Sequence, residues 1–384
     1  MNTTHLTRPE IDNVETLPPE AADPAGPGDL LLPEPPVGKR VLSGIQPSGD
    51  LHLGNKFGAI DQFVQAQDDN EMYVFIANLH AMTSQRDGEA LRRSTAAVAL
   101  DYLALGLDPE KVALYRQSDL PVVALLAWIF ECLTPTGDLD RCVAFKDKVA
   151  RGLGANAGLF NYPVLQAADI LLVNAEVVPV GPDQLQNIEL ARATASRFNE
   201  AYGAKVFNIP RARINQARLV PGLDGGKMSK SYGNTIPIFA SPDETRRLIS
   251  GIATDSLPVG AVRDPQDCKV FALLSLVAKP HELQDWAQRY RDGGLRHSAI
   301  KARLLELLLA HLAPAMQRRS QLQAQPWRVE EVLRAGADKA ARTARPLMER
   351  VLHLVGLDPT ALATIPPSGF VRHEPTTRGR GWAM

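Results

Sequence analysis

The chain has 384 residues, is 45% hydrophobic and 22% charged, and carries a formal net charge of −1. That length holds one large or two ordinary domains, and the hydrophobic fraction excludes a wholly disordered protein. No apolar run of about 18 residues is present to cross a membrane, and no apolar signal core opens the chain. The three cysteines, Cys132, Cys142 and Cys268, make no CxxC pair, so neither a disulfide framework nor a protein-bound metal site is expected. The expectation is a cytoplasmic protein with no membrane partner.

The near-neutral total hides segregated charge. Residues 1–38 hold seven acids, one base (Arg8) and eight prolines. Such a stretch cannot bury enough apolar surface to offset its ordering entropy and reads as a disordered acidic tail, or else as a docking segment. The pattern changes at Lys39. Residues 39–45 predict a buried strand, Gln46-Pro47-Ser48-Gly49 a turn, and Leu53-Gly54-Asn55 the opening of a helix that runs through Gln65. Further strands are predicted at 72–77, 112–115 and 177–180, with helices at 89–105 and 167–174. Strands alternating with helices predict an α/β fold, a doubly wound parallel sheet of the Rossmann type, over residues 39–238.

Beyond residue 240 the pattern is all-helical. Ser241-Pro242-Asp243-Glu244 combines a capping serine, a first-position proline and a glutamate three residues on. Amphipathic segments follow at 267–291, 297–320, 329–338 and 340–355, which defines a helical domain at 239–360 and a loose tail at 361–384. Residues 286–350 carry thirteen Lys/Arg against six Asp/Glu. That excess suits a polyanion such as RNA, although a solvated arginine-rich surface gives the same composition.

Two segments carry chemistry. Ser48-Gly49-Asp50-Leu51-His52-Leu53-Gly54-Asn55 follows the first strand directly, where open parallel sheets bind ligands. A helix starting there offers free N–H groups and a positive dipole end to phosphate, with His52 and Asn55 adding donors. By itself it is also an ordinary strand–helix turn. Gly226-Lys227-Met228-Ser229-Lys230-Ser231 places two ammonium groups among glycines, as suits a mobile loop that closes on a triphosphate. An exposed basic loop is the plain alternative.

Together HLGN (52–55) and KMSKS (227–231) resemble the two signatures of the class I aminoacyl-tRNA synthetases. More narrowly, from about Arg40 to about Leu357 the chain resembles the bacterial-type tryptophanyl-tRNA synthetases. The resemblance includes SGIQPSGDLHLGN, AFKDK (144–148), YPVLQAADILL (162–172), VPVGPDQLQNIELARATASRFN (178–199) and ATDS (253–256). It implies activation of tryptophan by ATP, with Mg2+ as part of the substrate complex, and transfer of the activated amino acid to tryptophan tRNA by a homodimer. Lys148, Lys227 and Lys230 would meet the phosphates, and His52 and Asn55 would donate to them. Gln46, Pro47, Ser48, Gly54, Gly181, Pro182, Asp183, Ser229 and Ser231 would hold ATP. Asp183 would sit at the ribose, with Leu219 and Met228 beside the adenine.

The resemblance also implies the tryptophan pocket: Asp169 at the indole N–H, Tyr162 and Gln184 at the α-amino group, and Gln166 and His80 as lining. Indole offers one donor and no acceptor, so a carboxylate left unpaired by other substrates would select it. Taken alone, Asp169 is equally a capping or salt-bridging residue. The dimer interface would lie in the insertion at about 116–165. Three residues depart from the family pattern: Lys56 for an aromatic, Asn78 for an acid, and Asn187 for a histidine. A tyrosine-specific relative and a non-catalytic paralogue that binds RNA or protein are the competing readings.

Overall fold

A computed structural model of the chain describes residues 30–47, 49–142, 156–214, 220–255, 257, 261–293 and 295–357. Its centre is a five-stranded parallel sheet formed by β1 (Arg40–Ile45), β2 (Glu71–Ile76), β3 (Val112–Arg116), β4 (Val177–Val180) and β5 (Arg211–Ile214), in the order β3-β2-β1-β4-β5. Consecutive strand residues point to opposite faces, and the two cores divide on that rule. Leu42, Tyr73, Phe75, Ala113 and Tyr115 belong to one cluster. Val41, Met72, Val74, Ile76, Val112 and Leu114 belong to the other. Strands covered on both faces read as unbroken apolar runs, which is why β1 to β4 were legible. β5, with the sequence Arg-Ala-Arg-Ile, gives no such run, and no strand was expected there.

The helix after β1, α1, covers residues 53–66 and contains one π-helical turn at Lys56–Ile60. α2 (Asn78–Ala81) and α3 (Gly88–Ala104) follow β2. After β3 come α4 (Val122–Glu131) and α5 (Thr136–Asp140). α4 buries Val123, Leu126, Ala127, Ile129 and Phe130 in the core, while Trp128 on its outer face is 64% exposed.

α6 (Ala157–Leu172) begins ten residues before the expected 167 and ends two before the expected 174. Its interior Pro163 hid the first half, since proline removes a helical hydrogen bond and usually ends a helix. The Asn156 side chain instead caps the start, accepting from Leu159 N–H at 2.9 Å. α7 (Leu185–Ala201) connects β4 to β5.

The C-terminal helices are α8 (Pro242–Ser250), α9 (Lys269–Leu274), α10 (Pro280–Asp292), α11 (His297–Gln323) and α12 (Pro326–Leu354). The single amphipathic segment expected at 267–291 is broken before Pro280, because a residue preceding proline disfavours the helical region. The two segments expected at 329–338 and 340–355 are one helix. Its Gly336 is a close-approach residue: a Cβ there would lie 2.0 Å from the Leu114 carbonyl oxygen of β3. Ala337, Ala340 and Ala344 continue this narrow face into the core. α12 thus lies along the β3 edge.

Residues 30–32, which composition assigns to the acidic tail, are ordered on the opposite edge. Ala212 N–H donates to Leu30 O at 2.7 Å, and Leu32 N–H donates to Ala212 O at 2.8 Å. The Leu30-Leu31-Leu32 triplet is apolar enough to anchor there, but is averaged away among its prolines and acids. Residues 33–38 are described as well, with Gly38 N–H donating to Asp69 O at 2.7 Å; residues 1–29 and the expected loose C-terminal tail lie outside the described residues. No described helix is long and apolar enough to cross a membrane.

Candidate active site

The strand order reverses direction between β1 and β4, and open α/β sheets bind ligands in the crevice beyond the strand ends at that point. A cavity of about 520 Å³ opens there. Of the expected site residues, Gln46, Asn55, His80, Tyr162, Gln166, Asp169, Gly181 and Gln184 line it. Gln46 directly follows β1 and Gly181 directly follows β4. The remaining wall is apolar and aromatic, with Phe63, Phe75 and Tyr102.

Asp169 lies on the buried face of α6 and is 5% exposed. His80 Nε2 stands 2.9 Å from Asp169 Oδ2. Gln117, which sequence reasoning missed, donates from Nε2 to both carboxylate oxygens, at 2.9 and 2.8 Å. Burial pushes the Asp169 carboxyl above the ordinary range, and the hydrogen bonds from His80 and Gln117 oppose that shift. Gln117 had one readable signal: it lies two residues beyond the strand predicted at 112–115, at the carboxyl end where such sites are built.

The wall formed by Tyr162, Gln166 and Gln184 is organised by a residue noted only as a departure. Asn187 Nδ2 donates to Gln166 Oε1 at 3.0 Å and to Gln184 Oε1 at 2.9 Å. Asn187 also hydrogen-bonds Tyr162. Gln184 Nε2 in turn donates to the exposed Asp183 at 2.9 Å. Asn78, another departure, pairs with Ser118: its Nδ2 donates to Ser118 Oγ at 2.8 Å, and Ser118 N–H donates back to Asn78 Oδ1 at 3.1 Å. Lys56, the third, is buried and paired with Asp61 at 2.7 Å.

Above the cavity mouth the two signature segments meet. Gly54 N–H donates to Met228 Sδ at 3.3 Å, and Leu53 N–H donates to Ile236 O at 3.0 Å. The first-turn N–H groups expected to be free for phosphate are therefore partly engaged, because the KMSKS segment and the chain after it pack onto the start of α1. Met228 N–H is likewise taken, by Val220 O at 3.0 Å. Lys230 Nζ reaches Gly49 O at 3.0 Å, across a turn that needs glycine for its φ of +80°.

Buried Asn234 clamps this loop. It accepts from Ser229 N–H at 2.8 Å and donates to Asp224 Oδ1 at 2.8 Å and to Lys227 O at 3.1 Å. The His52 ring lies over Gly54 and is buried, with Nδ1 lacking a hydrogen-bond partner among the described residues. Burial, then the Lys230 charge, lowers the His52 pKa to about 4, so the ring is neutral at pH 7. Burial also lowers the Lys230 pKa, against the pull of Asp50 and Asp101. Pro47 and Pro182 flank these turns without lining the cavity. Lys148, Ser48, Leu219 and the Ser231 side chain lie outside the described residues.

A doubly wound sheet, a largely apolar cavity with a few convergent polar groups at its switch point and two lysines on a glycine-bounded loop define a nucleotide-dependent α/β enzyme. The family described as class I tRNA synthetases (W and Y) matches residues 38–312, and the chain belongs to it. The tryptophan–tRNA ligase of Rhodopirellula baltica is 46% identical over 83% of this chain and 99% of its own length. That of Campylobacter jejuni is 44% identical over 83% of this chain and its whole length. The crystal structure of the Campylobacter jejuni tryptophanyl-tRNA synthetase complexed with ADP and tryptophan superposes with a TM-score of 0.79, at 44% identity over 83% of this chain and all of its own.

Proposed function

We propose that this chain is a tryptophan–tRNA ligase, which activates L-tryptophan with ATP and transfers it to the 3′ end of tryptophan tRNA. The carrying observation is Asp169, a buried carboxylate at a largely apolar cavity beneath the two signature segments. A relative crystallised with ADP and tryptophan supports this reading.

Indole enters the aromatic-walled cavity and donates its N–H to Asp169. Gln184 Oε1 keeps a second lone pair beyond the one used by Asn187, and that lone pair, with the Tyr162 hydroxyl, receives the α-ammonium. Gln166 and His80 complete the wall. The amino acid's carboxylate then attacks the α-phosphorus, and the bond to the leaving pyrophosphate breaks. No covalent enzyme intermediate is needed, so positioning and charge do the work. Neutral His52 and Asn55 donate to phosphate oxygens, and Lys227, Lys230 and Lys148 offset the negative charge on the pyrophosphate. Gln46, Pro47, Ser48, Gly54, Gly181, Pro182, Ser229 and Ser231 shape the ATP cleft, with Asp183 at the ribose and Leu219 and Met228 at the adenine. Magnesium arrives with ATP as substrate.

The basic C-terminal helices would take the tRNA backbone, whose phosphates position without specifying bases. The protein would work as a cytoplasmic homodimer, with the exposed Trp128 face of α4 in the interface. Amino-acid-dependent ATP–pyrophosphate exchange tests the proposal, run with tryptophan and tyrosine, with and without residues 1–29. Exchange with tryptophan alone is expected. Exchange with tyrosine alone, or none from folded protein, would overturn it, and tRNA binding without exchange would favour the non-catalytic paralogue.

A further inference from the structure

We propose that Gln117 is a positioning residue for amino-acid selection: its side-chain amide holds the Asp169 carboxylate so that a remaining lone pair faces the indole N–H. This rests on Asp169 being the indole acceptor.

The orientation of the Gln117 amide is dictated by the backbone. Its Oε1 accepts from Leu79 N–H at 3.0 Å and from His80 N–H at 3.3 Å. Nε2 is thereby turned toward Asp169, between its two oxygens. Gln117 is 1% exposed, so water cannot replace any of these bonds cheaply. Asp169 Oδ2 takes donors from both Gln117 and His80, whereas Oδ1 takes one from Gln117. Oδ1 is the less occupied oxygen and the one with acceptor capacity to spare. Rotation of the carboxylate about Cβ–Cγ would break two or three bonds at once.

The same amide also places His80, through the two N–H groups it accepts from α2. One side chain therefore joins the turn after β3, the start of α2 and the last turn of α6, three elements that converge on the indole end of the cavity. The mutual Asn78–Ser118 pair ties this turn to α2 independently. A substituted Gln117 leaves that tie intact, so the selection effect is separable from folding.

The experiment compares tryptophan with its benzothiophene isostere, in which sulfur replaces the ring N–H, in ATP–pyrophosphate exchange by the full chain. Gln117→Met removes every bond. Gln117→Glu keeps acceptors for the Leu79 and His80 N–H groups but replaces the neutral amide donor with a second carboxyl, so the two acids share one proton and Asp169 no longer presents a fully charged acceptor. Each variant is expected to raise KM for tryptophan about tenfold or more, with kcat within a few fold and KM for the isostere nearly unchanged. The preference for tryptophan then shrinks. Variants that lose kcat equally on both substrates with the preference intact would overturn the proposal, as would failure of both to fold, since Gln117 would then serve only the turn. A wild-type protein with no preference for tryptophan over the isostere would instead sink the Asp169 assignment.

Discussion

Asp169→Asn separates recognition from stability. In the folded chain the carboxylate accepts from Gln117 and His80 and has a lone pair left for indole. An asparagine has one oxygen with two lone pairs, enough for Gln117 and the indole N–H. Its Nδ2 then faces His80 Nε2, and a change of imidazole tautomer turns that nitrogen into an acceptor. The network closes again once the Gln117 amide, which in the wild type also donates to Oδ2 at 2.8 Å, shifts towards the asparagine oxygen; the indole bond loses its charge assistance. A hydrogen bond to a charged group is worth about 1.5–3 kcal/mol and a neutral one about 1 kcal/mol. The loss is therefore about 0.5–2 kcal/mol, or roughly 2- to 30-fold in kcat/KM for tryptophan. Stability should change by less than about 1 kcal/mol, since the variant also removes a buried charge. Pyrophosphate exchange over a tryptophan series, beside urea unfolding of the same preparations, makes the comparison. Tryptophan kinetics indistinguishable from wild type would refute the reasoning.

Lys230→Ala should slow adenylate formation by about 10²–10³-fold, as loss of a preorganised charge donor does, while tryptophan affinity by equilibrium dialysis stays within a few fold. Gly336→Ala tests the approach of α12 to β3. Helix propensity alone forecasts a gain of about 1 kcal/mol, but a Cβ 2.0 Å from Leu114 O must push the helix away, and net destabilisation by about 1–3 kcal/mol is expected in urea titrations. His52 gives a pH signature. Its folded pKa of about 4 lies below the unfolded 6.5. The unfolded chain therefore binds the extra proton, and stability falls as pH drops from 6.5 towards 4. His52→Gln should flatten that interval relative to wild type; parallel unfolding curves for the two would contradict it.

The parts of the site that sequence made legible are those where local pattern and chemistry coincide. HLGN and KMSKS each put glycines beside donors, and Asp169 stands out as an acid in an apolar run. Gln117 and Asn234 had no such contrast, because amides are unremarkable in turns and their roles arise from partners that folding brings close. The same limit explains the helices. Pro163 reads as an interruption locally, yet packing against the core overrides it. The engaged N–H groups of α1 were illegible for a related reason, since Met228 and Ile236 reach them from far along the chain.

The two edges of the sheet have a consequence for synthesis. An open strand edge is a template for pairing with another chain. Residues 30–32 cover β5 and are made first. The β3 edge is covered by α12, which is translated roughly two hundred residues after β3 and pairs with it over a long loop that closes slowly. A ribosome-bound chain thus carries a complete sheet with one raw border until α12 emerges. The interval between β3 and α12 is when this protein is most exposed to mispairing, and it sets a window in which chaperone protection would matter more than any later stage of its life.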